Sequence, residues 1–239
     1  MWRANIFTIF PEAFPGSLGV SLLGDALARG IWQLNLIDLK KFSTKSFGRI
    51  DSKPYGGGSG MILSPEVFEN AFESLDSSCR NTKKIYFSPR GRQLTQTDMQ
   101  KLSRSEGVTM LCGRYEGIDQ RIIDYYNFEE ISIGDFVLMG GEAAAMVAIE
   151  GMVRLLPDVV GNSESICTES FQEPLLEYNQ YTKPREFHGL VVPEVLLSGN
   201  HQQVEDFRLN ESKQLTRKKR SDLWAKYVSD NLNSVGKQL

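Results

Sequence analysis

Up to about residue 156 the chain alternates short apolar runs with stretches of helical period, and nothing else in the sequence constrains its fold as tightly. The runs at Asn5 to Ile9, Gln33 to Leu39, Lys84 to Phe87, Val108 to Cys112 and Glu130 to Ile133 are rich in β-branched or aromatic residues, which predicts strands. Between them, Ser64 to Leu75 opens on Ser-Pro-Glu, an N-cap followed by proline at the first helical position, and Thr95 to Leu102 follows a turn. Gly117 to Tyr126 carries Ile118, Ile122, Ile123 and Tyr126 on one helical face. Strands separated by helices are joined by crossovers, so the pattern predicts an α/β domain with a mainly parallel sheet, whose ligands bind beyond the carboxyl ends of the strands.

The rest of the chain reads differently. GGEAAAMVAIEGMVRLL, from Gly140 onward, predicts a long buried helix stopped by Pro157. The segment Gly161 to Glu173 is polar and without period, as in a linker. Pro174, Pro184 and Pro193 then punctuate an irregular stretch, and helical patterns run from His201 to Lys213 and Thr216 to Leu232. The expected division is an α/β domain over 1–160, a mobile linker over 161–174 and a small all-helical domain over 175–239.

Composition excludes several classes. Of 239 residues 41% are hydrophobic, and the apolar run at Ile6 to Phe10 is too short for a signal peptide or membrane span, so a cytoplasmic protein is expected. Cys79, Cys112 and Cys167 share no Cys-x-x-Cys spacing and none lies near His188 or His201, which weighs against structural zinc and a disulfide framework. A net charge of −3 argues against non-specific coating of nucleic acid, though Lys213 to Arg220, KQLTRKKR, is either a solvated helix face or a local RNA contact.

Three predicted strands run into turns of one kind: YFSPRG (Tyr86 to Gly91), CGRYEG (Cys112 to Gly117) and SIGDFVLMGGE (Ser132 to Glu142). Parallel neighbours would bring all three to one edge, where exposed backbone groups suit a flat, hydrogen-bonding ligand such as adenine. PYGGGSGM (Pro54 to Met61) matches neither a dinucleotide fingerprint nor a P-loop. Glu116 in the second turn, Arg154 near the end of the long helix and Glu169 in the linker are candidate chemical groups. On residue chemistry alone, Arg154 reads as a cation complementing its helix dipole and Glu169 as a solvated charge.

PYGGGSGM, FSPRG, LCGRYEGID, SIGDFVLMGGE, YTKP (181 to 184) and VPEVLLSGNH (192 to 201), with the basic C-terminal helices, resemble the bacterial tRNA (guanine-N1)-methyltransferases, of the knotted SPOUT class. The resemblance implies a deep trefoil knot that binds S-adenosylmethionine. By resemblance, Tyr86, Phe87, Ser88, Pro89, Gly113, Tyr115, Glu116, Ser132, Ile133, Gly134, Phe136, Val137, Leu138, Gly140 and Gly141 surround that cofactor. It also implies a homodimer with the active site between subunits, and a tRNA substrate held by the helical domain. The implied target is N1 of guanosine 37, just 3′ of the anticodon, with Glu169 as general base, Arg154 steadying O6 and Glu116 ordering the site. Magnesium is associated with the family, although no ligand spacing here suggests a metal. Glu169 departs from the aspartate usual there, and EYNQYTKP departs from the family pattern at Asn179, Gln180 and Lys183.

Overall fold

A computed structural model describes residues 1–44, 48–114, 116–161 and 169–235, with the side chains of 78 and 233–235 outside that description. The chain divides into two compact units, Met1–Gly161 and Asn162–Leu239.

The first unit is built on a five-stranded sheet of β1 (Trp2–Thr8), β2 (Trp32–Asp38), β5 (Lys83–Gln93), β6 (Gly107–Leu111) and β7 (Glu129–Ser132). Its order is β2-β1-β6-β5-β7, and every pairing is parallel. Five predicted strands are thus present, with shifted ends. Alternation along β1 sends Trp2, Ala4 and Ile6 to one face and Phe7 to the other, because successive side chains of a strand point to opposite sides. On the first face pack α1 (Ser21–Ala28), α4 (Gln96–Ser103) and α6 (Glu142–Val153). On the second face α2 (Pro65–Glu73) and α5 (Gln120–Tyr126) enclose a cluster centred on Phe7, Phe68 and Phe72. α3 (Ser77–Arg80) and a two-stranded ladder of β3 (Asp51–Ser52) with β4 (Ile62–Leu63) complete the unit.

Local chemistry explains the element ends. Thr95 and Asp98 form a reciprocal capping box at the start of α4, and Asp119 caps α5, so α5 starts at Gln120 and not at the expected Gly117. Ser64 occupies the N-cap position of α2 but makes no side-chain capping bond. α1 was not anticipated; Gly24 interrupts its period, and its buried residue is as small as Ala26. At Gly24 a Cβ would lie 2.3 Å from the carbonyl oxygen of Gly19, so only glycine permits that turn onto the helix.

β5 corrects one expectation. YFSPRG does not leave the sheet as a loop; the strand continues to Gln93, with a register shift against β7 between Phe87 and Arg92. Pro89 has no N–H for the ladder, so pairing breaks around it and resumes at Arg92. At Gly91 a Cβ would come within 2.4 Å of the Glu130–Ile131 backbone, which explains why the strand can pass β7 so closely there.

The second unit also corrects the sequence reading, because it is not all helical. A short antiparallel pair, β8 (Glu186–Phe187) and β9 (Leu190–Val191), interrupts its irregular first part. The first helix of its pair, α7 (His201–Lys219), runs past the expected stop at Lys213, and the break falls at Arg220, before α8 (Ser221–Val235). Thr216 does not cap a new helix. Its hydroxyl donates to the Ser212 carbonyl one turn back, at 2.7 Å, and accepts from the Leu176 N–H at 2.8 Å.

Candidate active site

The carboxyl ends of β6 and β7 and the irregular part of β5 surround a cavity of about 290 Å³. Tyr86, Phe87, Ser88 and Pro89 form one wall; Gly113, Glu116 and Gly117 form a second. Ile131 to Gly134 and Phe136 to Gly141 form the third, with Ala144 from α6 behind them. Every described position singled out from the three turns as cofactor-binding lines this one space; Tyr115 lies outside the described residues.

Close approaches of backbone explain the glycines. A Cβ on Gly141 would lie 2.8 Å from the Cys112 Cα, and one on Gly113 would lie 2.9 Å from the Tyr86 ring. The Gly141 N–H donates to the Gly113 carbonyl at 3.0 Å, tying the second and third turns together. Gly134, at φ +150, folds back so that the Ser132 hydroxyl bonds both its carbonyl and its N–H, at 3.0 and 3.2 Å. The glycine-rich loop also reaches the site. Glu116 donates its N–H to the Met61 carbonyl at 3.1 Å, and its side chain lies against Gly60, where a Cβ would be 2.3 Å from the Glu116 Cγ.

Beside the cavity, Glu142 opens α6 and is only 3% exposed. Its carboxylate accepts from Arg114 Nε at 2.9 Å and from the Thr8 hydroxyl at 2.8 Å, and the Arg114 guanidinium lies 4.6 Å above the Phe10 ring. A buried charge needs this compensation, and the start of a helix favours a carboxylate. Arg114 in turn fills the space over Gly140, where a Cβ would stand 2.2 Å from its Nε. Sequence reasoning assigned no role to Arg114, Glu142 or Thr8. The available signal was a cation in a strand-end turn and a carboxylate at the first position of a mostly apolar helix.

Titration leaves no thiolate here. Burial, reinforced by the Glu142 carboxylate, pushes the Cys112 thiol well above its ordinary value. Burial likewise raises the Tyr86 phenol, so at neutral pH it stays a protonated donor beside Gly113 and Gly117. Cys79 and Cys112 are both buried, and among the described residues no group of three or more His, Cys, Asp or Glu side chains is arranged to hold a metal.

Arg154 lies apart from the cavity walls. Arg154 terminates α6 at its C-terminal end, whereas Gly141 and Ala144 line the cavity at the other end. Thirteen positions of helix separate Arg154 from Gly141, about 20 Å at 1.5 Å per residue, more than an arginine side chain can span. Glu169 belongs to the second unit, where it is partly buried and its carbonyl accepts from the Gln172 N–H at 3.4 Å.

The family model described as tRNA (Guanine-1)-methyltransferase TrmD matches residues 2–226. The chain belongs to the tRNA (guanine-1)-methyltransferase family. Curated proteins named tRNA (guanine-N(1)-)-methyltransferase agree with that assignment along nearly their full length. The Ehrlichia canis (strain Jake) relative is 50% identical over 222 residues, 92% of this chain and 94% of its own. Those of Ruegeria pomeroyi and Rhodopseudomonas palustris (strain CGA009) are each 48% identical, over 95% and 98% of this chain and 94% of their own. No helix among the described residues is long and apolar enough to cross a membrane.

Proposed function

We propose that this chain methylates N1 of guanosine 37 in tRNA, giving 1-methylguanosine, with S-adenosylmethionine as the methyl donor. The observation that carries the reading is the convergence of three glycine-bearing segments on one cavity in a chain of this family. The wall residues suit an adenosine-bearing donor: close-packed turns at Gly113, Gly134 and Gly140, apolar contacts from Ile133 and Leu138, and glycines at which a side chain would run into the walls. When bound, the donor supplies an electrophilic methyl on a sulfonium. The proposed topology is the deep trefoil knot of the SPOUT class, a reading supported by β5 pairing with both β6 and β7 and by the contact of Gly141 with Cys112.

The chain's own residues then have defined tasks. Guanine N1 carries a proton, so its attack on a methyl needs a base, and negative charge gathers at O6 as that proton leaves. Glu169 takes the proton, Arg154 donates to O6, and Glu116 holds the turn against the glycine-rich loop. Because Arg154 cannot reach the cavity of its own chain, the working enzyme is proposed to be a homodimer in which one subunit's donor cavity meets its partner's Arg154. An exposed apolar stretch supports this assembly: Val137 is 84% exposed and Met139 91%. The second unit, with basic residues at the end of α7, is proposed to hold the RNA.

The deciding experiment is transfer of labelled methyl to two transcripts of one tRNA that differ only in guanosine or adenosine at position 37. Label on the guanosine transcript alone, recovered as 1-methylguanosine, is expected. Equal labelling of both, or none on either while the donor binds, would overturn the assignment.

A further inference from the structure

The second unit contains a cavity of about 450 Å³ built entirely from its own residues, within the roughly 300–1,000 Å³ typical of ligand sites. Its floor is apolar, with Val192, Leu196, Leu197 and Val204, and its rim carries Tyr178 and Tyr181 with three cations, Lys183, Arg185 and Arg208. No carboxylate lines it. Arg185 is paired with Glu194 at 2.6 Å. Arg208 is different: its guanidinium lies 4.7 Å over the Tyr178 ring, while its Nε is buried with no hydrogen-bond partner among the described residues. A buried donor without an acceptor is rare in a folded protein and marks a place where an acceptor is missing.

The neighbouring acids are held by other groups. The Asn179 side chain and N–H both donate to Glu211, at 2.8 and 3.1 Å, and the Gln180 amide donates to Glu177 at 2.6 Å. These contacts anchor the Tyr178 segment to α7 and engage two carboxylates that would otherwise compete for the cations.

Flat aromatic faces, an apolar floor and the cations Lys183 and Arg208 suit a nucleobase with its phosphate. We infer that this cavity binds one unstacked nucleotide of the RNA substrate, its base against Tyr178 and Tyr181 and its phosphate on Arg208 and Lys183. The inference rests on the reading of tRNA as the substrate. Arg208 Nε gains its acceptor from the phosphate, and the guanidinium already stacked on Tyr178 extends the platform for the base.

Binding of tRNA across a salt series tests this, with methyl-transfer kinetics run in parallel. Arg208→Gln and Lys183→Gln should each reduce the slope of log affinity against log salt by about 0.7 to 0.9, the share of one phosphate contact. Tyr178→Leu should weaken tRNA binding by roughly 5- to 150-fold with the slope unchanged, as loss of one stacked base does. In all three variants the KM for tRNA should rise, while kcat at saturating tRNA and donor affinity stay at the parent level. Lys183 is exposed, so its variant remains informative even if Arg208→Gln does not fold. Parent affinity and slope in the Lys183 and Tyr178 variants, in an enzyme that still methylates tRNA, would remove the cavity as a nucleotide site and leave the proposed reaction intact. If the unaltered protein neither binds nor methylates tRNA, the reaction and this inference fail together.

Discussion

At Glu169 one methylene of side-chain length falls on the group proposed to accept a proton. Proton transfer requires hydrogen-bond distance, so the extra reach alters where the carboxylate meets guanine N1 without altering its chemistry. Glu169→Gln removes the base and keeps the shape. Its turnover is expected to fall by about 10²- to 10⁴-fold, with the donor dissociation constant unchanged by calorimetry. Glu169→Asp keeps a carboxylate and should retain most of the activity that the amide variant loses. Parent-level turnover from Glu169→Gln would show that the proton leaves by another route.

Among the elements, β7 is the short edge strand that carries a wall of the cavity, and charged side chains hold it in place. Glu129 pairs with Lys83 at 2.8 Å and Arg92 at 2.7 Å, Arg92 reaches Asp98 at 2.8 Å, and Glu130 pairs with Arg90 at 2.8 Å. The Lys83 hydrogen bond is the main reason the Glu129 carboxyl titrates below its ordinary value. For Asp98 burial acts upward, but hydrogen bonds from Arg92 and Thr95 outweigh it, and its carboxyl also titrates low. Both groups are therefore more acidic folded than unfolded. Their stabilisation is complete above the unfolded carboxylate range, about pH 4, and is lost as pH falls below it through the folded values. Glu129→Gln should cost little near neutrality, about 1 kcal/mol or less for partly exposed pairs, and should make the melting temperature fall less steeply below about pH 4 than in the parent. Thermal melts of the two proteins between pH 2 and 7 check this; parallel curves would mean that the clip contributes nothing.

For the whole molecule, the length of α6 is the deciding quantity. About 20 Å of helix lies between a cavity wall at Gly141 and the guanidinium proposed to act on the base. Two inactive variants should therefore complement each other. Gly113→Val fills the donor cavity beside Tyr86, and Arg154→Ala removes the O6 donor. Mixed and reassembled, they form some dimers in which an intact cavity faces an intact Arg154, so activity should return. A mixture that exchanges subunits and stays inactive would place both residues in one chain's site. Calorimetry with the donor should meanwhile show binding by Arg154→Ala and none by Gly113→Val.

Much of this was legible in the residues. Strand period and β-branched runs determine that the first part is a parallel α/β layer, because burial of both sheet faces demands nearly continuous apolar strands and a covering helix after each. The turns around Gly113, Gly134 and Gly141 stood out because glycine is needed where backbone meets backbone. What the sequence could not determine was set by contacts between residues far apart in the chain. The strand order placing β6 between β1 and β5, the return of β5 to the ladder after Pro89, and the burial of Glu142 under Arg114 and Thr8 each depend on groups that local period does not connect. The same holds for the unbroken run of α7 through Thr216, where local period starts a second helix but the hydroxyl is satisfied one turn back and by Leu176. Local pattern chooses an element, but tertiary packing decides where it ends and which buried polar group finds a partner.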